Sequence, residues 1–198
     1  TSLFMNGGNS SYTKVLVDGV TVNEPGGAVD FSNFTLDNVE KIEVVRGGQS
    51  ALLGSDAMTG VVQMLTHRGT TRSPAVSLLA EGGNFSTARG AAQLSGLVDR
   101  LDYSAGTGYF STDGQGPNNR FLNRTLSGNF GVRLGQDSSV RLTLRNNTSD
   151  AGVAGQTLLM PANLDQHNAL QNFSTGLTLQ FATGPHFQHQ VRGTEAYL

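Results

Sequence analysis

LDNVEKIEVVRGGQSALLGSDAMTGVVQMLTHR, residues 36–68, is the stretch on which the fold turns. It reads as two short β-strands, Lys41–Val45 and Gly60–Thr66, joined by the glycine-punctuated run RGGQSALLGSDAMTG. Ile42, Val44 and Val45 give the first strand β-branched apolar side chains, and Val61, Val62 and Leu65 serve the second. Gly47, Gly48, Gly54 and Gly60 mark bends or close approaches of the backbone. After Arg72 the chain changes character and becomes a series of alternating segments separated by polar turns.

Upstream, Leu3–Met5 is a short apolar run ending in the turn signal Asn6-Gly7-Gly8-Asn9. Val15-Leu16-Val17 predicts a strand, Asp18-Gly19 a tight turn, and Val20–Val22 the returning strand. Asn23–Phe34 is a polar loop with neither strand nor helix period. Thr35 suits the cap of one helical turn over Leu36–Val39, too short to stand without tertiary support. Residues 1–69 thus form a small α+β unit with a modest core, and a unit that buries so little surface calls for an enclosing partner.

Composition narrows the class. Charged residues make up 14% of the 198, Gly numbers 26, and Cys is absent, so disulfide and thiol chemistry are excluded. A net charge of -2 gives no electrostatic case for nucleic acid. No apolar run reaches the roughly 18–20 residues of a membrane helix, whereas a membrane β-barrel escapes that test because its strands alternate. The opening carries neither Met nor a leader, and Glu195–Leu198 reads as mid-strand, so the expectation is an excerpt of a longer protein.

The ordered set Val15-Leu16-Val17-Asp18-Gly19-Val20, Val39–Gly48 (VEKIEVVRGG), Gln49–Ala57 (QSALLGSDA) and Gly60–Thr66 (GVVQMLT) resembles the plug domain of TonB-dependent outer-membrane receptors. Within that family it is most similar to the vitamin B12 receptor group. Gly48 stands where the family usually has Pro, and Gln63-Met64 replaces a commoner Asn-Ile. The resemblance implies residues 1–69 as the C-terminal part of a plug and a periplasmic partner, TonB, reached through a TonB box upstream of this chain. It also implies an extracellular nutrient ligand and a place in the bacterial outer membrane.

Residues 70–198 support a barrel without the family. Ala88, Gly90, Ala92 and Leu94 alternate with Arg89, Ala91, Gln93 and Ser95; Leu126, Gly128, Phe130, Val132 and Leu134 alternate with Ser127, Asn129, Gly131 and Arg133. Val140, Leu142 and Leu144 alternate with Arg141, Thr143 and Arg145, and Phe173, Thr175, Leu177, Leu179 and Phe181 with Ser174, Gly176, Thr178 and Gln180. Period 2 sends each set to one face. One face carries the arginines and meets water; the other is nearly free of charge, as contact with outer-membrane lipid demands, since a midplane charge there costs about 2–4 kcal/mol. No Lys occurs after Thr70, unlike the outer faces of soluble sandwiches. Strands are predicted at about 75–83, 86–97, 101–111, 123–134, 139–148, 170–181 and 187–198, with turns alternately tight and long. The fold class is therefore mostly β: an α+β plug segment, then the first seven or so antiparallel up-and-down strands of an incomplete transmembrane barrel, the parent having about 22.

Asn23–Phe31 is the candidate ligand loop. The resemblance places it at the plug apex, with Asn23, Glu24 and Asp30 as polar contacts and Gly26 and Gly27 permitting close backbone approach, Pro25 counting among the same ligand-loop residues; the same composition suits an ordinary surface loop. Glu43 and Arg46 are candidate plug–barrel contacts, the resemblance pairing Arg46 with acidic barrel residues; a local or solvated pair is the alternative. His67, His167, His186 and His189 lack metal-ligand spacing, and Asp113 is a single carboxylate where a calcium cage needs several. No nucleophile turn or phosphate loop occurs, so no catalysis and no cofactor is expected. These features point to TonB-dependent uptake of a scarce nutrient, whether a cobalamin, a ferric siderophore or an oligosaccharide. A surface or secreted β-rich binding or adhesion protein is the alternative.

Overall fold

The computed structural model describes residues 2–24, 27, 29–31, 34–153, 161, 164–184 and 186–197, and in it the chain builds two separate sheets. The first holds β1 (Thr13–Val17), β2 (Val20–Thr21), β3 (Val39–Arg46) and β4 (Gly60–Thr66) in the order β2-β1-β4-β3. β1 runs antiparallel to β2 and parallel to β4, and β3 closes antiparallel on β4. Asp18 and Gly19 both have positive φ, 49° and 81°, the geometry of a type I′ hairpin turn that the Asp-Gly pair signals.

Because β1 is central, its side chains bury on both faces. Val15 and Val17 join Met5, Val29, Val62 and Met64 in one apolar cluster, flanked by Leu3, Val22, Phe31, Phe34 and Val39; Leu16 packs with Ala57 and Val61 on the other side. Each such side chain contributes roughly 1.5–3 kcal/mol by leaving water.

Two local expectations are corrected. Residues 36–38 form a turn into β3, with Val39 N–H donating to the Leu36 carbonyl at 3.0 Å, and no helix. Thr35 cannot cap one, since its hydroxyl is engaged with Thr125 across to the second sheet at 2.7 Å. Among the described residues the single α-helical turn, α1 (Ser50–Leu53), lies instead in the glycine-rich run and ends at Gly54, whose φ of 91° favours glycine.

The second sheet holds β5 (Ala75–Gly83), β6 (Thr87–Val98), β7 (Leu101–Thr112), β8 (Phe121–Arg133), β9 (Ser139–Gly152), β10 (His167–Thr183) and β11 (Phe187–Tyr197). All are antiparallel and neighbour one another in chain order, an up-and-down array left open at both edges. β9 and β10 are longer than expected, at 14 and 17 residues, because their pairing continues through the polar stretch from Asn146 to Gly152. Backbone hydrogen bonds sustain a strand beyond the point where apolar alternation stops marking it.

Alternation sorts the faces as read. Val76, Leu78, Leu94, Leu126, Leu177, Val191 and Tyr197 point outward and stay exposed. Opposite them, Ser104, Asn123, Thr125, Ser127, Asn129, Thr143, Arg145, Asn147 and Ser174 are buried, although polar. What buries them is the first sheet and its loops.

Candidate functional site

The seam between the two sheets is held by polar contacts. Asp37 pairs with Arg89 at 3.3 Å, and the Ser104 hydroxyl donates to Asn38 Oδ1 at 2.8 Å. Inward-facing glycines on β7 and β10 make room for this approach. A Cβ at Gly106 would lie 2.9 Å from Asn38 Cβ, one at Gly108 would strike Asp37, and one at Gly176 would lie 2.9 Å from Val20 Cγ2. Small residues on the barrel wall thus receive the turn before β3 and the hairpin after β1.

Lower in the seam a chain of hydrogen bonds runs from one sheet to the other. Arg141 grips Asp102 through two parallel bonds of 2.9 and 3.0 Å and also donates to Asn129 Oδ1. Asn129 Nδ2 donates to Thr66 Oγ1 at 2.8 Å, and Thr66 donates its hydroxyl and its backbone N–H to Asp18 at 2.6 and 3.1 Å. The bidentate ion pair fixes the barrel end of this relay, and charge-assisted bonds hold both ends more firmly than neutral ones would.

Arg145 is the most deeply set cation, only 4% exposed. Its Nη2 donates to the Thr35 carbonyl at 2.6 Å, and its guanidinium lies 4.5 Å from the centre of the Phe34 ring. Nε and Nη1 are buried and meet no acceptor among the described residues. Arg145 therefore ties the segment leaving the candidate ligand loop to the barrel wall. The alternation marked it as inward-facing; nothing local in the sequence marked Thr35 and Phe34 as its partners, since 110 positions separate Arg145 from Thr35.

Among the loop candidates, Asn23 is engaged with the backbone of β1. It is buried, its Oδ1 accepting from Val15 N–H at 2.7 Å and its Nδ2 donating to the Thr13 carbonyl at 3.0 Å and toward the Gly27 carbonyl at 3.4 Å. The amide imitates a strand partner for β1, so Asn23 shapes the loop rather than presenting a free polar group. Gly27 N–H closes a turn on the Glu24 carbonyl at 2.8 Å. Glu24 and Asp30 are exposed and line, with Phe34, Arg145, Asn147 and Asn172, a cavity of about 30 Å³ between the loop and β9–β11. Pro25 and Gly26 lie outside the described residues.

Glu43 and Arg46 sit on β3, at the edge of the first sheet, and among the described residues neither bonds a side chain of β5–β11. Glu43 instead takes a 2.6 Å ion pair from Lys41, whose pKa is raised by that hydrogen bond and by the carboxylate's charge. Ile42, Val44 and Val45 beside them are 45%, 55% and 46% exposed, an apolar edge that β5–β11 leave uncovered. The histidines are dispersed: His67 lies 3.9 Å from Glu40, and His189 stacks on Phe181 with ring centres 4.9 Å apart.

Residues 1–61 match the family described as the TonB-dependent Receptor Plug Domain. Over most of its length the chain superposes on solved receptors. The siderophore receptor PirA from Acinetobacter baumannii matches with a TM-score of 0.73 at 20% identity, over 94% of this chain and 32% of that one. The ferripyoverdine receptor of the outer membrane of Pseudomonas aeruginosa gives 0.70 at 12%, over 90% and 27%, and the copper transporter OprC gives 0.70 at 14%, over 94% and 29%. This chain thus spans about a third of the length of the proteins it matches. These likenesses carry the fold, and none of the three is a vitamin B12 receptor. A plug-family segment, residues 1–61, is thus docked on the polar face of an open run of antiparallel strands whose fold is shared with solved outer-membrane receptors.

Proposed function

We propose that the protein carrying this chain takes up a scarce, metal-bearing nutrient across the bacterial outer membrane, with residues 1–69 as the C-terminal part of its plug and residues 70–198 as its first barrel strands. The observation that carries this reading is the seam: a separately folded sheet held against the barrel's inner face by hydrogen bonds and ion pairs rather than by an apolar interface. Such contacts exchange for water at little net cost, so a plug held this way is both retained and movable. The siderophore and copper proteins among the matched structures favour a ferric siderophore or another metal chelate over a cobalamin or an oligosaccharide.

In this scheme the long loops between β7 and β8 and between β9 and β10 are extracellular, as in bacterial barrels generally. Ligand meets them and the loop from Asn23 to Phe31, where Glu24, Gly27 and Asp30 lie, together with Pro25 and Gly26. TonB, energised from the inner membrane, then supplies the work, because a tightly bound ligand leaves only if a second state of the receptor holds it less well. Glu43 and Arg46, with the apolar edge of β3, are assigned to contact with barrel strands beyond β11 in a parent of about 22 strands.

Uptake of radiolabelled ferric siderophores into iron-starved cells producing the receptor tests the function. We expect accumulation that stops when TonB is deleted or the proton gradient is collapsed; binding at the surface with no accumulation under any condition favours the adhesion reading. Deleting residues 26–29 from the receptor is expected to weaken ligand binding while leaving heat-modifiable gel migration normal. Unchanged affinity removes the loop assignment.

A further inference from the structure

Charge is distributed unevenly along the seam. On the face turned toward the plug, β8, β9 and β11 carry Arg133, Arg141, Arg145 and Arg192, and across β7–β11 the only acid on that face is Asp102. Between this wall and the plug, at the end where β6 joins β7 and β8 joins β9 through the short turns 99–100 and 134–138, lies a cavity of about 310 Å³. Its lining includes Arg68 from the plug, Arg133, Arg141 and Arg192 from the wall, and the carboxylates of Asp18 and Asp102.

Both carboxylates are already committed. Asp102 is taken up by Arg141, and Asp18 receives the hydroxyl and backbone N–H of Thr66. Four arginines against two aspartates leave two positive charges in excess. Arg68 and Arg133 have no side-chain hydrogen-bond or ion-pair partner among the described residues, and Arg192 reaches only the Thr178 hydroxyl, at 3.2 Å. Arg192 is also positioned from the plug side: its guanidinium lies against Gly19, where a Cβ would collide with Nη1. The space would hold about ten waters at roughly 30 Å³ each, enough for an oxyanion with part of its hydration. Guanidinium groups present planar forks of donors suited to carboxylate and phosphate oxygens.

We infer that this cavity is an oxyanion site, with Arg68, Arg133 and Arg192 as its donors, taking a carboxylate or phosphate group. It lies on the opposite side of the plug hairpin from the ligand loop, and its existence does not depend on which nutrient the receptor carries, or on transport at all. Because Arg192 packs on Gly19 and Arg68 follows β4, the donors come from both plug and wall, so the site is complete only while the plug is seated.

The test uses the receptor purified in detergent with its complete barrel. Crystals soaked in bromide should show anomalous density between Arg68, Arg133 and Arg192; a cavity free of bromide while other sites fill overturns the proposal. In solution, calorimetric titration with malonate and, separately, with inorganic phosphate should give saturable binding of at least one, weakened tenfold or more in the R68Q/R133Q/R192Q variant. Heat-modifiable migration of the variant establishes that it has folded. Affinity unchanged in the folded variant overturns the assignment, and the stronger of the two probes identifies which oxyanion the site prefers.

Discussion

The inside of the plug and the outside of the plug are built from opposite materials. Within the first sheet Val15, Val17, Val62 and Met64 are all at most 5% exposed and make no polar contact through their side chains. Where the same sheet meets the barrel wall, burial falls instead on Ser104, Asn129, Thr143 and Arg145. An apolar core resists water at every step of opening, whereas a hydrogen-bonded seam exchanges each partner for a water molecule at small net cost. The contrast suits a unit that must stay folded while its attachment comes undone.

The sharpest way to break the contrast is to make the core behave like the seam. Val62→Asp places an unpaired carboxylate in the apolar cluster of Met5, Val15, Val17 and Met64, and we expect a loss of about 4 kcal/mol or more, read as rapid protease digestion of the plug in an intact barrel. A plug that stayed protease-resistant would mean that its enclosure, and not its core, holds it together. Arg145→Met converts a seam residue to core material. It removes the bonds to Thr35 together with two buried donor nitrogens that have no acceptor among the described residues, so the seam should weaken by only about 1–2 kcal/mol, with faster cleavage of the loop after Asn23 and unchanged barrel migration. Asn129→Leu cuts the relay between Arg141 and Thr66 and should cost about 1–3 kcal/mol, seen as earlier plug release in urea. Smallest is Lys41→Gln: its pair with Glu43 is exposed, and no measurable change in melting is expected. For Arg46→Ala we expect altered transport or plug retention with normal expression; reduced expression alone would indicate a plain folding role.

How much of this could be read from the residues depended on range. The seven strands were legible because a two-residue period needs only neighbours to be seen, and Asp18-Gly19 announced its turn for the same reason. The relay from Asp102 to Asp18 was not, since each of its steps joins residues far apart in the chain and Asn and Thr carry no periodic signal of their own. The misplaced helical turn has the same origin. Thr35 looks like a cap locally, but its hydroxyl is claimed by Thr125, 90 residues away. Asn23 looked like a loop-surface amide, yet its side chain pairs with the backbone of β1 beyond the two residues that β2 covers.

The distribution of lysine has a practical outcome. Only Lys14 and Lys41 occur in these 198 residues, and both stand on the plug sheet. Lys14 donates its ammonium to the Leu53 carbonyl, while the Lys41 side chain is 63% exposed. Within these residues an amine-directed dye applied at limiting dose would therefore mark the side chain on β3 and leave every strand from β5 to β11 dark, so its emission would report displacement of the first sheet against that stretch of wall.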